Sequence, residues 1–264
     1  MSNWLRNLFI SAVVIFLSAP LVVVAGVSFN AKKQLLFPPE GFSFRWYEEM
    51  LTASDWLNAV NNSLIVATTS ALLALSMALP LAYFLWRYRV FYARALFTLG
   101  VAPFMLPPVI TALGFLTFWV TIGMYGKLPA TVISHAIFFV TLPLVTISLG
   151  LESIESEVIE AAESMGADDR TVFTTIVLPM VRPYMISGYA FAFVLSLNEY
   201  IIAYMVAGFT VETLPIKIFN SLRYGYTPVM ASVAVLFVII AIVVFGLIAR
   251  FGNLPKLLGA WTDK

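Results

Sequence analysis

Residues 160–179 read EAAESMGADDRTVFTTIVLP, an acidic and polar stretch in a chain whose other long segments are apolar. The chain has 264 residues, of which 61% are hydrophobic and 11% are charged, and its mean hydropathy is +0.94. Soluble domains carry about 25% charged residues. The composition therefore indicates a membrane protein, and the polar stretch indicates a segment that lies outside the lipid.

Five intervals contain no Asp, Glu, Lys or Arg, and each exceeds the roughly 20 residues that a spanning helix needs. They are residues 7–31, 56–86, 95–126, 128–151 and 224–249. A sixth apolar segment contains one acid, Glu199. The sequence therefore predicts an all-α membrane protein with six transmembrane helices in a single domain, residues 1–264. The predicted helices lie at about 8–29, 60–86, 95–120, 130–150, 184–208 and 228–249.

The distribution of Lys and Arg predicts the orientation, because cytoplasmic loops carry an excess of these residues. With both termini inside, the inner segments carry nine of them and the outer loops carry six. We therefore predict an N-in, C-in topology, which places the loop at 152–183 in the cytoplasm. The first apolar stretch is longer than the core of a signal peptide, about 7 to 15 residues, so we expect it to be an uncleaved helix.

The third predicted helix contains Pro103, Pro107 and Pro108. Each proline removes a backbone donor, so we expect this helix to bend or break. The break either lines a pathway and flexes there, or is an ordinary packed kink.

The first outer loop predicts a short amphipathic helix at residues 44–51. Its Trp46 and Tyr47 suit the lipid interface. Alternatively, Trp46 lies on the outer part of a substrate pathway or contacts a binding protein.

The polar stretch belongs to a predicted helix, turn and helix. Residues 152–165 lack helix breakers and repeat apolar side chains at intervals of three and four, which predicts an amphipathic helix. Gly166 suits the turn that ends this helix. Asp168 is the predicted N-cap of a second helix, which Leu178–Pro179 closes. The unit is either a docking surface or a solvated connector.

The spacing of this segment is Glu160-Ala161-Ala162, three residues, Gly166, nine residues, Ile176, one residue, and Leu178-Pro179. It resembles the EAA loop of the membrane subunits of bacterial ABC importers. The resemblance implies a coupling helix that docks into a groove of a separate ATPase, with Glu160 as the contacting acid and Gly166 as the turn. Ala161 and Ala162 are then the small residues that permit close approach.

Further motifs are APLVVVAGVSFN, GFSFRWYEEML, Asn62-Ser63-Leu64 and LSLNEYIIAYMVAG followed by TLPIKIF. With the six-helix size and the Pro-rich third helix, they resemble the permeases of the spermidine/putrescine importer group, particularly its second permease. The resemblance implies a multi-pass protein of the bacterial cytoplasmic (inner) membrane. Its implied partners are a second, distinct permease, two ATPase subunits and an extracytoplasmic solute-binding protein. The implied cargo is a polyamine, or a related opine or organic cation, moved by alternating access.

The sequence predicts that ATP is bound elsewhere. The one Gly-Lys pair, in YGKLP, lacks the spacing of a Walker A loop. We therefore expect a transport subunit rather than an enzyme, with no cofactor of its own and with ATP and Mg in the partner ATPase. The absence of cysteine and the single histidine argue against a thiolate or histidine-cluster metal site. Nothing in the composition predicts a nucleic-acid partner.

Glu199 is the one acid in the predicted spans, and an intramembrane acid is a functional hypothesis by default. We expect Ser196 and Asn198 to border a polar cleft beside it. Tyr200 would add cation–π contact with a passing amine. The alternative is a structural acid bonded to another helix. Polyamine permeases commonly carry two acids at this position, and Asn198 replaces one here, which favours a monovalent or zwitterionic amine.

Two other classes of protein are weaker alternatives. A secondary transporter would need several intramembrane ionisable residues and an ion gradient. An intramembrane enzyme would need paired catalytic groups. Glu199 and His135 do not form a convincing pair in the sequence, and we expect His135 to be a packing histidine rather than a proton relay. Dependence of transport on an ATPase discriminates among these classes.

Overall fold

A computed structural model of the protein describes residues 3–88, 91–225 and 227–251. Within these ranges the chain is helical and contains no β-strand, which confirms the all-α prediction. The helices are α1 (Asn3–Ser28), α2 (Arg45–Thr52), α3 (Ser54–Tyr88), α4 (Phe91–Met105), α5 (Pro108–Thr121), α6 (Leu128–Phe139), α7 (Thr141–Glu152), α8 (Ser156–Ser164), α9 (Asp169–Val172), α10 (Leu178–Asn198), α11 (Ile201–Ala207), α12 (Leu214–Tyr224) and α13 (Val229–Phe251). Three charges counted for the orientation, Arg89, Lys256 and Lys264, lie outside the described residues.

Five helical segments are long and apolar enough to cross a membrane, and a bent pair makes a sixth if it is one span. The five are Asn3–Ser28, Ser54–Tyr88, Leu128–Glu152, Asp169–Asn198 and Val229–Leu247. The sixth candidate is the pair α4 and α5. These segments overlap the predicted spans. The predicted helices at 95–120, 130–150 and 184–208 are each interrupted, and the fifth segment in chain order begins at Asp169 rather than at residue 184.

The third predicted span is broken at its prolines rather than continuous over 95–120. α4 and α5 meet at an angle of 111°. Pro107 precedes α5 and Pro108 opens it, where a missing N–H leaves no hydrogen bond unmade. The hydroxyl of Thr111 donates to the carbonyl of Pro103 at 3.2 Å, which satisfies one carbonyl freed by the break. The expectation that this helix bends or breaks is confirmed.

α3 is the central helix, and α6, α7 and α10 pack against it. Its 35 residues extend about 52 Å at 1.5 Å per residue, more than the roughly 30 Å of hydrocarbon in a bilayer. Alanines at intervals of three and four form its buried face: Ala67, Ala71, Ala74, Ala78 and Ala82. These small side chains let the neighbouring backbones approach closely. The middle of α3 is therefore tightly packed.

Gly188 in α10 lies in close contact with α7. A Cβ at this position would lie 2.5 Å from Cα of Pro143 in α7, so only glycine fits. Ala192, one turn later, is fully buried. Gly188 and Ala192 therefore form a small-xxx-small pair that packs against neighbouring helices.

The outer loop contains the predicted short helix, α2, but Trp46 does not lie at a lipid interface. Its side chain is 1% exposed, and its indole N–H donates to the carbonyl of Asn30 at 2.6 Å. It packs in a cluster with Met50, Trp56 and Val229. The interface and pathway interpretations of Trp46 are wrong for this structure, because α2 folds onto α3 and α13 and buries the indole.

Candidate coupling and translocation sites

The first candidate site is the bend between α8 and α9. α8 begins at Ser156, four residues later than predicted, because α7 ends at Glu152 and a turn follows. Ile159 is buried against the body of the protein. Val158 and Met165 lie on the outer side of the bend, and Met165 is 84% exposed. Met165 is the C-cap residue of α8 and directly precedes the Gly166 turn, so its thioether is accessible at the bend.

Gly166 and Asp168 have the predicted roles in the turn. Gly166 has φ +89°, and a Cβ there would contact nothing, so backbone conformation alone selects glycine. Asp168 caps the next helix, since its carboxylate accepts a hydrogen bond from the backbone N–H of Thr171 at 2.9 Å. Hydrogen bonds from the side chain and backbone of Thr171 hold the pKa of Asp168 below its usual value.

The second helix does not close at Leu178–Pro179 as predicted. α9 passes through one π-helical turn, Phe173–Val177, directly into α10. Pro179 lies in the first turn of α10, where a proline is tolerated. The bend is therefore continuous with α10, part of the fifth span in chain order.

Arg87, at the inner end of α3, holds both sides of the bend. One of its terminal nitrogens, Nη2, donates to the carboxylate of Glu163 in α8 and to Oδ1 of Asp169 in α9, the latter at 2.9 Å. Tyr88 adds a 3.4 Å hydrogen bond to Asp169. The guanidinium side chain is 24% exposed. In the sequence Arg87 indicates only the orientation of the chain, because no spacing rule connects it with residues 76 and 82 positions away.

The four residues taken from the EAA resemblance lie together at the bend but differ in exposure. Glu160, Ala161 and Gly166 are exposed, whereas Ala162 is 7% exposed and packs inward. Ala162 therefore permits close approach of α8 to its own protein, and the surface available to a partner contains Glu160 and Ala161.

The second candidate site surrounds Glu199. The predicted helix 184–208 is interrupted: α10 ends at Asn198 and α11 begins at Ile201. The Glu199 carboxylate accepts hydrogen bonds from the backbone N–H groups of Ile202 at 2.8 Å and Ala203 at 3.0 Å. Glu199 is thus at a helix break and not in the middle of a helix. Its side chain is 9% exposed.

His135 and Glu199 are paired in space, contrary to the sequence-based expectation. Nε2 of His135 lies 3.3 Å from Oε2 of Glu199, within ion-pair distance but misaligned for a hydrogen bond. Nδ1 of His135 bonds to the hydroxyl of Ser196 at 2.8 Å, and Ser196 bonds to Ser70 of α3 at 3.1 Å. This buried network joins α3, α6, α10 and α11.

The expectation that Ser196 borders an open cleft is therefore not met in this structure. It is 4% exposed and enclosed by Ser70 and His135. Asn198 is exposed, and its side-chain amide donates to the carbonyl of Val194. Periodicity could not reveal the network, because it depends on a helix break that the apolar sequence around Glu199 conceals.

Tyr200 belongs to an aromatic cluster at the break. Its ring stacks on Tyr204 at 5.3 Å and lies 4.7 Å from Phe219 of α12. Phe209 approaches Tyr204 at 5.8 Å and is exposed, whereas the two tyrosines are half-buried. The aromatic cluster, Tyr200, Tyr204, Phe209 and Phe219, presents ring surface to the outside of this chain while the Glu199 carboxylate is directed inward.

At the other end of α3, α12 is held by a charged cluster. Lys217 lies 2.9 Å from Asp55 and 3.2 Å from Glu212. Partial burial lowers the pKa of Lys217, but hydrogen bonds to the two carboxylates outweigh this effect and leave its pKa raised. Asn62 and Ser63 of α3 also bond to the backbone of Glu212 and Leu214. α12 is therefore fixed to α3.

Residues 70–253 match the family model described as "Binding-protein-dependent transport system inner membrane component". The chain belongs to this family. It is a multi-pass permease component of an ABC importer in the inner membrane, which confirms the resemblance noted in the sequence.

Curated relatives match nearly the whole permease. It is 28% identical to the spermidine/putrescine transport system permease protein PotC of Haemophilus influenzae, over 95% of this chain and 98% of the relative. It is 35% identical to the putrescine transport system permease protein PotI of Escherichia coli (strain K12), over 89% of this chain and 86% of the relative. A molybdenum transport system permease, ModB of H. influenzae, is 32% identical over 63% of this chain and 80% of the relative.

Solved structures share the fold of the permease. A bacterial ABC transporter involved in the import of the acidic polysaccharide alginate matches with TM-score 0.72 and 16% identity, over 94% of this chain and 95% of that one. The MetNI methionine ABC transporter, in an inward-facing form, matches with TM-score 0.63 and 19% identity, over 74% of this chain and 93% of that one. At these identities the likeness concerns the fold alone.

Proposed function

We propose that this permease translocates a small amine, such as putrescine or spermidine or a related opine or organic cation, driven by ATP hydrolysis in a separate subunit. The observation that carries the proposal is the α8–α9 bend, an exposed and rigidly capped surface that continues directly into a transmembrane helix. The names of the relatives PotC and PotI support an amine as cargo.

The bend is the proposed coupling segment on the cytoplasmic side of an N-in, C-in protein. It lies at the Arg87 end of α3, whereas Asp55, α12 and α2 lie at the opposite end. The Lys and Arg count supports the cytoplasm for the first of these ends.

The proposed docking surface for the ATPase consists of Glu160, Ala161 and Met165, with Gly166 as the turn. Glu160 supplies charge, and the side chains of Ala161 and Met165 supply apolar contact area from which binding excludes water. Ala162 supports this surface indirectly, since it packs α8 against the core of the protein.

The proposed complex contains this chain, a second and distinct permease, two ATPase subunits that hold ATP and Mg, and an extracytoplasmic solute-binding protein. A bacterial alginate ABC transporter solved in complex with an alginate-bound periplasmic protein shares this fold with TM-score 0.65, which supports a binding protein on the outer side. This chain binds no cofactor in the proposal, and it has no role with nucleic acid.

The proposed amine contact is the aromatic cluster. Ring faces attract ammonium groups, and Tyr200 and Tyr204 keep part of their rings open. Exposed Asn198 adds an amide beside them. Glu199 and Ser196 contribute indirectly, because their bonds fix the break from which Tyr200 projects. ATP-driven movement of the bend would expose this surface alternately to the two sides of the membrane.

Uptake by the reconstituted complex tests the function. Proteoliposomes containing both permeases and the ATPase, supplied with binding protein, are expected to accumulate labelled putrescine only with hydrolysable ATP. An ionophore that collapses ion gradients should leave this uptake intact. Uptake by the permeases without the ATPase, driven by an ion gradient, would instead identify a secondary transporter.

A further inference from the structure

The coupling segment is attached to α3 by two kinds of contact. Apolar side chains of the segment, Ile159 and Val172, join a core cluster with Ala82 of α3, and the rings of Phe173 and Tyr83 meet at 4.8 Å. Apolar contact is non-directional, so it holds the segment against α3 without fixing its orientation.

Arg87 supplies the directional contact. It bridges Glu163 on one side of the Gly166 turn and Asp169 on the other side. A single nitrogen, Nη2, makes both contacts, so the position of Arg87 relates the two carboxylates to each other and to α3. No other ion pair joins α8 or α9 to a spanning helix among the residues that the structure describes.

The far end of α3 is equally well fixed. Lys217 of α12 pairs with Asp55, and the side chain of Ser63 accepts from the N–H of Leu214 at 2.7 Å. Midway, Ser70 bonds to Ser196 in the network around Glu199. One continuous helix therefore connects the bend, the buried network and α12.

We infer that Arg87 is a positioning residue that transmits movement of the α8–α9 bend to α3, and through α3 to the break at Glu199 and to α12. The inference rests on the proposed docking of the ATPase at the bend. It adds a residue outside the docking surface, one that acts after the ATPase has bound.

The exposure of the two Arg87 ion pairs favours a role in transmitting movement over a role in stabilising the fold. Arg87 is partly exposed, and Glu163 and Asp169 are more so. Ion pairs of this exposure contribute little to stability. Loss of the guanidinium should therefore leave the apolar attachment and the folded permease in place, while the bend is free to turn on α3.

The decisive variant is Arg87→Ala in the reconstituted complex. We expect normal copurification of the ATPase and continued ATP hydrolysis, with amine transported per ATP lower by roughly 2- to 30-fold, the range found for residues that carry coupling between sites. Arg94→Ala is the control, since Arg94 is an exposed arginine in the first turn of α4, the helix that follows α3 in the chain. The control should transport normally.

Exchanging the charges of Arg87 and Glu163 distinguishes loss of the ion pair from a general disturbance of packing at the bend. Arg87→Glu repels both carboxylates and should reduce transport further. Arg87→Glu combined with Glu163→Arg and Asp169→Asn restores opposite charges between α3 and α8 and removes the like charge on α9, and it should recover part of the lost transport per ATP. Unchanged transport per ATP in Arg87→Ala would overturn the inference. So would failure of the exchanged pair to recover, or loss of ATPase copurification in Arg87→Ala, which would place Arg87 in docking. Failure of the unaltered complex to retain its ATPase would contradict the proposed function itself.

Discussion

Two helix–break–helix units of the permease, at the α8–α9 bend and at the α10–α11 break, are capped in opposite ways. The α8–α9 bend uses Gly166 in a left-handed conformation and the short side chain of Asp168, and its surface is exposed. The α10–α11 break uses a buried Glu199 that accepts from two backbone N–H groups and lies beside His135. Water can satisfy the free backbone groups of the first break, whereas the protein must supply every partner at the second.

The difference explains two observations about charge. The acids at the bend remain available to a partner because water solvates them. The acid at the break is tolerated in an apolar environment because hydrogen bonds and a histidine surround it. The buried carboxylate of Glu199 therefore has a structural role as the cap of a helix break. That role requires no contact with the cargo.

The largest predicted effect is at the buried break. Glu199→Ala leaves two N–H groups and His135 without their partner, and we expect it to destabilise the permease by about 3 kcal/mol. Thermal unfolding in detergent measures this loss. Glu160→Ala is the matched control, since an exposed acid should change stability by less than about 0.5 kcal/mol. Equal effects of the two variants would remove the contrast between the breaks.

Glu199→Gln distinguishes a cap from a charge that contacts the amine. The amide keeps one acceptor oxygen, so we expect both stability and amine uptake to recover most of what Glu199→Ala loses. Uptake kinetics and thermal unfolding are measured on the same preparation. Normal stability with abolished uptake would show that the negative charge itself acts on the cargo.

The next effect is at the exposed bend. Glu160→Lys reverses the charge on the proposed docking surface, and we expect ATPase binding to weaken by at least about tenfold, while the protein still inserts in the membrane. Copurification and a binding titration measure the loss. Glu157→Lys, one turn earlier on the same exposed side of α8, tests whether position or net charge matters. Normal binding by Glu160→Lys would refute the docking surface.

The sequence predicted the bend better than the break, for a physical reason. Caps at Gly166 and Asp168 are local: the residue type and its neighbours determine the conformation, so spacing alone located the turn. The apolar spans were also predictable, because the bilayer imposes length and composition. The prolines located the break between α4 and α5.

Contacts between distant residues were not predictable. The buried network around Glu199 depends on the packing of α3, α6, α10 and α11. The bridge from Arg87 to Asp169 connects residues that only the fold brings together. Trp46 appeared to be an interface residue because tryptophan commonly lies there, and only the packing of α2 revealed that it is buried. Each of these cases is tertiary contact overriding a local preference.

A smaller effect is expected at the turn itself. Gly166→Ala forces a Cβ into a left-handed conformation at a cost of about 1 kcal/mol, although no atom opposes it sterically. Because the bend is peripheral, we expect overall thermal stability to change little and ATPase coupling to fall. Gly123→Ala, which also has positive φ and an open surrounding, is the control on the other side of the protein. A drop in coupling for both variants would show a general defect.

The smallest effect is the pH dependence of the Asp168 cap. Its pKa is held below the usual 3.8 by hydrogen bonds with Thr171, so the folded bend favours the ionised carboxylate. That contribution is present above the unfolded pKa and is lost as the pH falls through the lower, folded pKa. After correction for the intrinsic pH dependence of amide exchange, we expect hydrogen exchange at residues 165–175 to accelerate below about pH 4. We expect Asp168→Asn to exchange faster at neutral pH and to lose most of this acid dependence. The break at Glu199 should remain protected under the same conditions, because its carboxylate is enclosed. Equal acceleration at both breaks would show that burial does not separate them.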